Sequence, residues 1–200
     1  MIITTDFISH CSKMVEGCGR LWAIGMLVFS FALSQPGYAS EGIGIRGVTL
    51  EPADDAWKLS ADFDIQFTPT LQEAVSRGVP LYFVIEFEVR QPRWYWFDKK
   101  NVYTVRERRI SYAPLTQEYR LSTGNYFQHY KTFSELRYQL ERLRGWEVTG
   151  RDSLRAGEKY DIAVRMRLDT SLLPKPFQIS SLTSREWSLS SDWHRWSLAP

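Results

Sequence analysis

The chain has 200 residues, of which 44% are hydrophobic and 24% charged. This composition is typical of one globular domain with a sizeable core and excludes a disordered chain. The 25 basic and 23 acidic residues give a formal net charge of +2, which is too balanced for the basic surface of a nucleic-acid-binding protein, so no nucleic acid partner is expected.

An uncharged apolar run of 14 residues, LWAIGMLVFSFALS, occupies positions 21–34. Its length suits the core of a signal peptide and falls short of the roughly 20 residues that span a bilayer. Small residues follow the run, and we predict a signal peptide over residues 1–39 that is cleaved after Ala39. The remaining residues, 40–200, are predicted to form a single β-rich domain in the periplasm.

Two alternatives at the N-terminus remain open. The apolar segment can stay uncleaved as a membrane anchor, which would be the protein's one contact with the membrane, and translation can begin at Met14 instead of Met1. Both cysteines, Cys11 and Cys18, precede the apolar run, so the exported domain is expected to contain no disulfide.

Segments of alternating hydrophobicity follow the export signal. The clearest are DAWKLSADFDIQF at residues 55–67 and YDIAVRMRLD at residues 160–169, which predict half-buried strands. Shorter β-rich stretches are predicted at residues 117–122, 125–130, 146–149 and 185–196.

A long hairpin is predicted from two further segments. PLYFVIEFEVRQPRWYW at residues 80–96 and VYTVRERRISY at residues 102–112 are separated by the polar turn DKKN. Pro92 is expected to mark a bulge or a strand edge, because proline cannot donate to the ladder of hydrogen bonds.

The two arms of this hairpin carry opposite charges. Glu86 and Glu88 share the strand face opposite to Phe83, and the pairing predicts that Arg106 and Arg108 lie across from the two glutamates.

Two helices are predicted between the strands, at TLQEAVSRG (70–78) and TFSELRYQLERLRG (132–145). Each begins with threonine, carries glutamate three residues later and ends at glycine, which is a capping box followed by a glycine C-cap. The second helix has an apolar stripe of Phe133, Leu136, Leu140 and Leu143. We therefore predict a mainly antiparallel all-β fold, a β-sandwich of immunoglobulin-like general architecture with two short helices. An open barrel, or an antiparallel sheet backed by the longer helix, is the alternative.

The sequence carries no recognisable catalytic or cofactor-binding motif. It has no G-x-S-x-G elbow and no phosphate-binding glycine loop, and His129 and His194 stand alone, so neither a metal nor a cofactor is expected. Glu86 and Glu88 have a spacing that a glycosidase can use for paired carboxylates, and an envelope hydrolase is therefore the lowest-ranked functional alternative.

The tryptophan-rich segments are the strongest candidate binding surface. Arg93, Trp94 and Trp96 near the hairpin tip are predicted to join Trp193 and Trp196 of the last strand. Aromatic side chains of this kind stack on sugar rings or on partner proteins, but they are also common in a core. The candidate functions are accordingly a protein-binding module and a carbohydrate or cell-wall binding module.

Four signatures occur together in this chain: GVPLYFVIEFEVRQPRWYW, ISYAPLTQEYRLS, YDIAVRMRLDTSLLPKPFQI and EWSLSSDWHRW. With them the chain resembles, from about residue 42 to residue 196, the proteobacterial domain-of-unknown-function family 4390 of exported proteins. The run at residues 168–178 is the most specific part of the resemblance. It contains Pro174 and Pro176, which predict a stiff, extended link.

The resemblance implies a periplasmic location and supplies no catalytic residues. It also implies genes placed beside a membrane sensor kinase and its response regulator. We therefore expect a non-enzymatic accessory protein whose partner is the periplasmic domain of a sensor histidine kinase or another envelope protein.

Overall fold

The computed structural model describes residues 42–92 and 99–200. The predicted export segment, with both cysteines and the cleavage point, lies outside the described residues. Within the described residues, no helix combines the length and the apolarity needed to cross a membrane.

Strands account for most of the described chain. They are β1 (Ile43–Pro52), β2 (Ala56–Ile65), β3 (Leu81–Gln91), β4 (Lys99–Ala113), β5 (Glu118–Thr123), β6 (Tyr126–Tyr130), β7 (Arg142–Gly150), β8 (Tyr160–Leu168) and β9 (His194–Leu198). The helices are α1 (Pro69–Ser76), α2 (Phe133–Leu140) and α3 (Lys175–Thr183). Short 3₁₀ turns cover Arg151–Ser153, Thr170–Leu172 and Arg185–Trp187.

The strands form two sheets in which each pairing is antiparallel. The three-stranded sheet has the order β1-β2-β7, and the six-stranded sheet has the order β6-β5-β4-β3-β8-β9. The prediction of a mainly antiparallel β fold is therefore confirmed. The immunoglobulin-like arrangement is not confirmed, since β3 to β6 form a consecutive meander, and the described residues contain three α-helices instead of the two predicted.

One core lies between the inner faces of the two sheets. On β3, the predicted apolar face is fully buried and consists of Phe83, Ile85, Phe87 and Val89. Alternate residues of β2 from Trp57 to Ile65 are buried on the facing sheet, as the period of a strand requires. An edge-to-face contact between Phe87 and Trp146, with ring centres 6.5 Å apart, joins the two sheets.

The six-stranded sheet is wider than the sheet that covers it. The edge strand β7 of the smaller sheet contacts β4, and β1 contacts β8, so β5 and β6 extend beyond the smaller sheet. Helix α2 covers part of this extension with the buried side chains of Leu136 and Leu140. Its Phe133 packs edge-to-face on Tyr119, with ring centres 5.7 Å apart. Beyond the end of α2, residues of β4 to β6 line a groove that neither this helix nor the smaller sheet fills.

The helix ends differ from the prediction in two places. Helix α1 is capped by Thr68 instead of Thr70, because Pro69 occupies the first turn and the Thr68 hydroxyl accepts from Leu71 N at 3.3 Å. The predicted cap of α2 is confirmed, since the Thr132 hydroxyl accepts from Glu135 N at 3.2 Å.

Helix α2 ends five residues before the predicted glycine C-cap at Gly145. The chain passes from Leu140 into β7, whose residues pair with β2 and complete the smaller sheet. Leu143 is buried as the predicted stripe required, but it belongs to a strand. The helical spacing of apolar residues continues past Leu140 in the sequence. These residues form a strand nevertheless, because their pairing with β2 is the more stable arrangement.

The two prolines of the predicted stiff link have different effects. Leu173 is extended as predicted, with φ −69° and ψ 155°. Lys175 was predicted to be extended and instead begins α3, with Pro174 as its N-cap. Pro176 falls in the first turn of that helix, where its missing N–H removes no intrahelical bond. The prediction of an extended Lys175 is therefore wrong.

Three other strand predictions differ from the structure. Strand β1 was not predicted, because it contains two glycines and buries only Ile43 among its residues. Lys99 pairs with Gln91, so most of the predicted DKKN turn belongs to β4, while β3 ends before Pro92 as expected. The segment 185–196 forms a strand only from His194 onward.

Candidate functional site

The outer face of the six-stranded sheet carries an ordered group of charged and aromatic side chains. We call the residues Glu86, Tyr103, Arg165, Arg167 and Trp193 the outer patch. Strand register places Glu86 opposite both Val105 of β4 and Arg165 of β8. Directly paired residues share a sheet face, so this register brings together the members of the patch on β3, β4 and β8, while Trp193 lies just before β9.

Glu86 lies at the centre of the outer patch. It is only 3% exposed, because the arginines of β8 lie over it. Arg165 Nε donates to one carboxylate oxygen, and Arg167 Nε donates to the other at 3.2 Å. The arginine side chains remain 32% exposed. Both oxygens of a buried carboxylate are thus satisfied by guanidinium groups that still reach solvent.

These contacts set the ionisation of the patch. Burial alone would raise the pKa of Glu86, but the hydrogen bonds and charges of Arg165 and Arg167 outweigh it and lower the pKa. Burial, together with the hydrogen bond to Glu86 and its negative charge, raises the pKa of Tyr103. Glu86 is therefore ionised and Tyr103 is neutral at neutral pH.

Trp193 completes the patch above Arg165. The Arg165 guanidinium carbon lies 4.5 Å from the centre of the Trp193 ring, and that of Arg195 lies 5.8 Å from it. Arg165 is therefore held between a carboxylate on one side and an indole on the other. Such a cation–π contact fixes the guanidinium while leaving Trp193 partly exposed.

Trp196 lies on the other side of the same sheet. It pairs with Ile162, whose side chain is fully buried on the inner face, and it packs against the core. Its ring centre is 5.7 Å from that of His194. Of the predicted binding residues, Trp193 and Trp196 are thus not brought to one surface. Arg93, Trp94 and Trp96 lie outside the described residues.

The charge pairing predicted within the hairpin is wrong. Arg106 pairs with Ile85 and Arg108 with Phe83, so both arginines lie on the inner face, opposite to that of the glutamates. A shift of one residue in register moves a whole strand's side chains to the other face, and the hydrophobic residues of β3 determine which register forms.

Arg165 and Arg167 were missed as partners of the glutamates. They have the same two-residue spacing as Glu86 and Glu88, which was the available signal in the sequence. Arg106 and Arg108 of β4 have that spacing too. The sequence favours them as partners because β4 follows β3 directly in the chain, whereas β8 comes much later. The sequence does not give the register that decides between the two strands.

The ionisation of Glu86 does not suit the role of a general acid. A general acid needs a raised pKa at its working pH, whereas Glu86 is held ionised by two arginines. Glu88 is also buried and accepts from Arg90 Nε. Across residues 42–92 and 99–200, no three histidine, cysteine, aspartate or glutamate side chains cluster to hold a metal ion.

The fold and the outer patch define a mainly antiparallel, two-sheet β protein. Its arginine–aromatic surface is fixed by the buried carboxylate of Glu86. A family model described as "Domain of unknown function (DUF4390)" matches residues 40–197, and the chain belongs to that family. No curated protein and no solved structure matches the chain significantly.

Proposed function

We propose that the protein is an exported, non-enzymatic accessory protein of the periplasm that binds another envelope protein through the outer patch. One observation carries the proposal: Arg165 is fixed between buried Glu86 and partly exposed Trp193 on an open sheet face. We infer that the partner is the periplasmic domain of a membrane sensor kinase, on the basis of the gene neighbourhood that the family resemblance implies.

The chemistry of the outer patch suits a protein partner. Tryptophan, tyrosine and arginine are the residues enriched at binding hot spots, and the patch contains all three types. Tyr103 and Val105 are 48% and 45% exposed, so they add apolar area beside the arginines. Because Arg165 is already held in place, ordering it on binding costs less conformational entropy than ordering a free arginine side chain.

The location rests on the N-terminal pattern. The charge, apolar run and small residues of the first 39 positions match an export signal. The family match begins at residue 40, directly after the predicted cleavage point. These observations support export into the periplasm, where a kinase's outer domain is accessible.

Isothermal titration of the purified protein with the kinase's periplasmic domain tests the proposal. Trp193→Ala is expected to weaken binding about 30-fold, because a hot-spot tryptophan contributes about 2 kcal/mol. Leu182→Ala is the matched control, since it also removes an exposed apolar side chain but on α3. It is expected to leave the affinity within about twofold of wild type. No binding at tens of micromolar, or equal weakening by both variants, would refute the proposal.

A parallel titration addresses the carbohydrate alternative. Tryptophan fluorescence is followed while peptidoglycan fragments are added, and no change is expected if the outer patch binds protein. A saturable change that Trp193→Ala abolishes would show that the ligand is a glycan and would contradict the protein-binding proposal.

A further inference from the structure

A groove opens on the inner face of the six-stranded sheet, where the smaller sheet no longer covers it. It lies between β4, β5 and β6 on one side and the end of α2 with the start of β7 on the other. Its volume is about 750 Å³, which is in the range of small-molecule sites. We call it the arginine groove, after its lining residues Arg106, Arg108, Arg142 and Arg144. It is on the face opposite to the outer patch.

The first two arginines reach the groove because of strand register. Arg106 and Arg108 lie on the inner face of β4, about 6 to 7 Å apart along the strand. Arg108 Nη1 donates to the carbonyl oxygens of Leu140 and Arg142, at 2.9 Å each. Arg108 therefore attaches the end of α2 and the start of β7 to the large sheet.

The environment of Arg108 is unfavourable for a cation. Burial, with a contribution from the neighbouring charge of Arg106, lowers the pKa of Arg108 to about 10. No carboxylate of the described residues lies within ion-pairing distance of Arg106 or Arg108. Arg106 instead lies over the face of the Trp146 ring, with its guanidinium carbon 6.0 Å from the ring centre.

The other two arginines share one carboxylate that lies outside the groove. Asp62 Oδ1 is 2.5 Å from Arg144 Nη2 and 4.0 Å from Arg142 Nε. Arg142 also stacks on Tyr138, with its guanidinium carbon 4.1 Å from the ring centre. These contacts hold both guanidinium groups against Asp62, so Arg106 and Arg108 are the lining arginines of the described chain whose charge has no carboxylate partner. Among the described residues that line the groove, none is an aspartate or a glutamate.

The rim of the groove adds neutral hydrogen-bonding and aromatic groups. Thr123, Gln128 and Gln139 line it together with Tyr126 and Phe127. Tyr126 is 79% exposed, whereas the Phe127 ring lies on the outer face, against Arg120 and His129. The exposed Tyr126 ring beside a cationic groove is suited to the organic part of a ligand whose anionic part contacts the arginines.

We propose that the arginine groove binds the phosphate group of an organic phosphate. A phosphate dianion presents several oxygens to planar guanidinium forks, and the two charges of Arg106 and Arg108, which have no carboxylate partner, match its two negative charges. The organic phosphate is either a small soluble molecule or a lipid headgroup, since both present the same group.

Binding of inorganic phosphate to the purified protein, followed by titration calorimetry, is the direct test. Arg106→Gln is expected to weaken phosphate binding about tenfold, because it removes a charged hydrogen-bond donor. Arg106→Lys keeps the charge and the chain length but loses the bidentate geometry, so a several-fold loss is expected even if the glutamine variant folds poorly. Raising the salt concentration should weaken binding to the wild type.

Arg109→Gln is the matched control, because Arg109 is on the same strand but exposed on the outer face. It makes the same change in net charge and is expected to leave phosphate affinity unchanged.

Vesicles of phosphatidylcholine with and without phosphatidylglycerol distinguish a lipid phosphate from a small soluble phosphate. Binding only to the anionic vesicles, with loss in Arg106→Gln, supports the site and identifies a lipid phosphate. No binding of either probe at millimolar concentration, or equal losses in Arg106→Gln and Arg109→Gln, overturns the proposal. Trp193→Ala does not affect this test, so it is independent of the protein-binding proposal.

Discussion

Glu86 is the residue on which the outer patch depends. Its carboxylate is buried and holds two arginines, so Glu86→Gln leaves Arg165 without its counter-charge. Arg167 is left with Asp169 alone, whose Oδ2 is 3.6 Å from Arg167 Nη1. Breaking a fully buried pair costs about 3 to 5 kcal/mol, and the partial exposure of both arginines reduces the expected loss to about 2 kcal/mol. Urea unfolding at about pH 7 measures the free energy of unfolding of both proteins. Glu107→Gln, an exposed change on the same sheet face, is the control and should cost less than about 0.5 kcal/mol.

The stability that Glu86 contributes depends on pH. The pKa of Glu86 is lowered in the folded state, so its contribution is complete above the unfolded value of about 4.3. The contribution is lost as the pH falls through the lower folded pKa. The difference in stability between wild type and Glu86→Gln should therefore shrink between about pH 5 and about pH 2. A difference that stays constant over this range would show that Glu86 acts through packing and not through its charge.

Among the elements, β7 shows how a backbone conformation determines strand pairing. Gly145 has φ +57° and lies where the pairing of β7 with β2 shifts, and its N–H donates to Ser60 Oγ at 3.1 Å. A Cβ at this position would meet no atom within 4 Å, so the cost of Gly145→Ala comes only from the left-handed backbone. We expect a loss of about 1 to 2 kcal/mol in the free energy of unfolding.

Gly47→Ala is the matched control for that variant. Gly47 also lies at an irregularity of pairing and has open space around its Cα, but its φ is not positive. Alanine there is expected to be neutral or slightly stabilising in thermal or urea unfolding. Equal losses in the two variants would show that alanine is disfavoured in these bulges for a reason other than φ.

The elements also show how far the sequence predicts this fold. Period-two alternation correctly predicts β2 and β8, and a threonine cap correctly predicts where α2 begins. Alternation identifies the two faces of a strand, but it does not give the partner strand or the register. The glutamates were therefore assigned to the wrong arginines, and the arginine groove was not foreseen. Tertiary pairing likewise converts the predicted end of α2 into β7, which helical periodicity cannot indicate.

At the scale of the whole molecule, the unequal widths of the two sheets separate the two candidate sites. The outer patch is supported by β3 and β8 at the centre of the large sheet, where the opposite face is fully packed. The arginine groove occupies the part of the inner face that the small sheet leaves open. In the sequence, the charged residues of β3 indicate a solvent-exposed face. In the structure, arginines of β8 bury Glu86, and no local sequence pattern indicates burial by a strand that is distant in the chain.

A single shared core also predicts how the molecule unfolds. Leu59 of the small sheet and Ile85 of the large sheet are both fully buried in one continuous cluster, and Phe87 contacts Trp146 across it. Backbone bonding adds to this connection, since Phe63 N donates to the Glu141 carbonyl oxygen, just after α2, at 2.8 Å.

We expect Leu59→Ala and Ile85→Ala each to lower the free energy of unfolding by about 2 to 5 kcal/mol. In both variants, urea transitions followed by tryptophan fluorescence and by far-UV circular dichroism should coincide, because neither sheet has a core of its own. Leu115→Ala, on a fully exposed turn, should leave the midpoint unchanged. An early fluorescence transition confined to Leu59→Ala would show that the small sheet unfolds separately and that the two sheets are independent units.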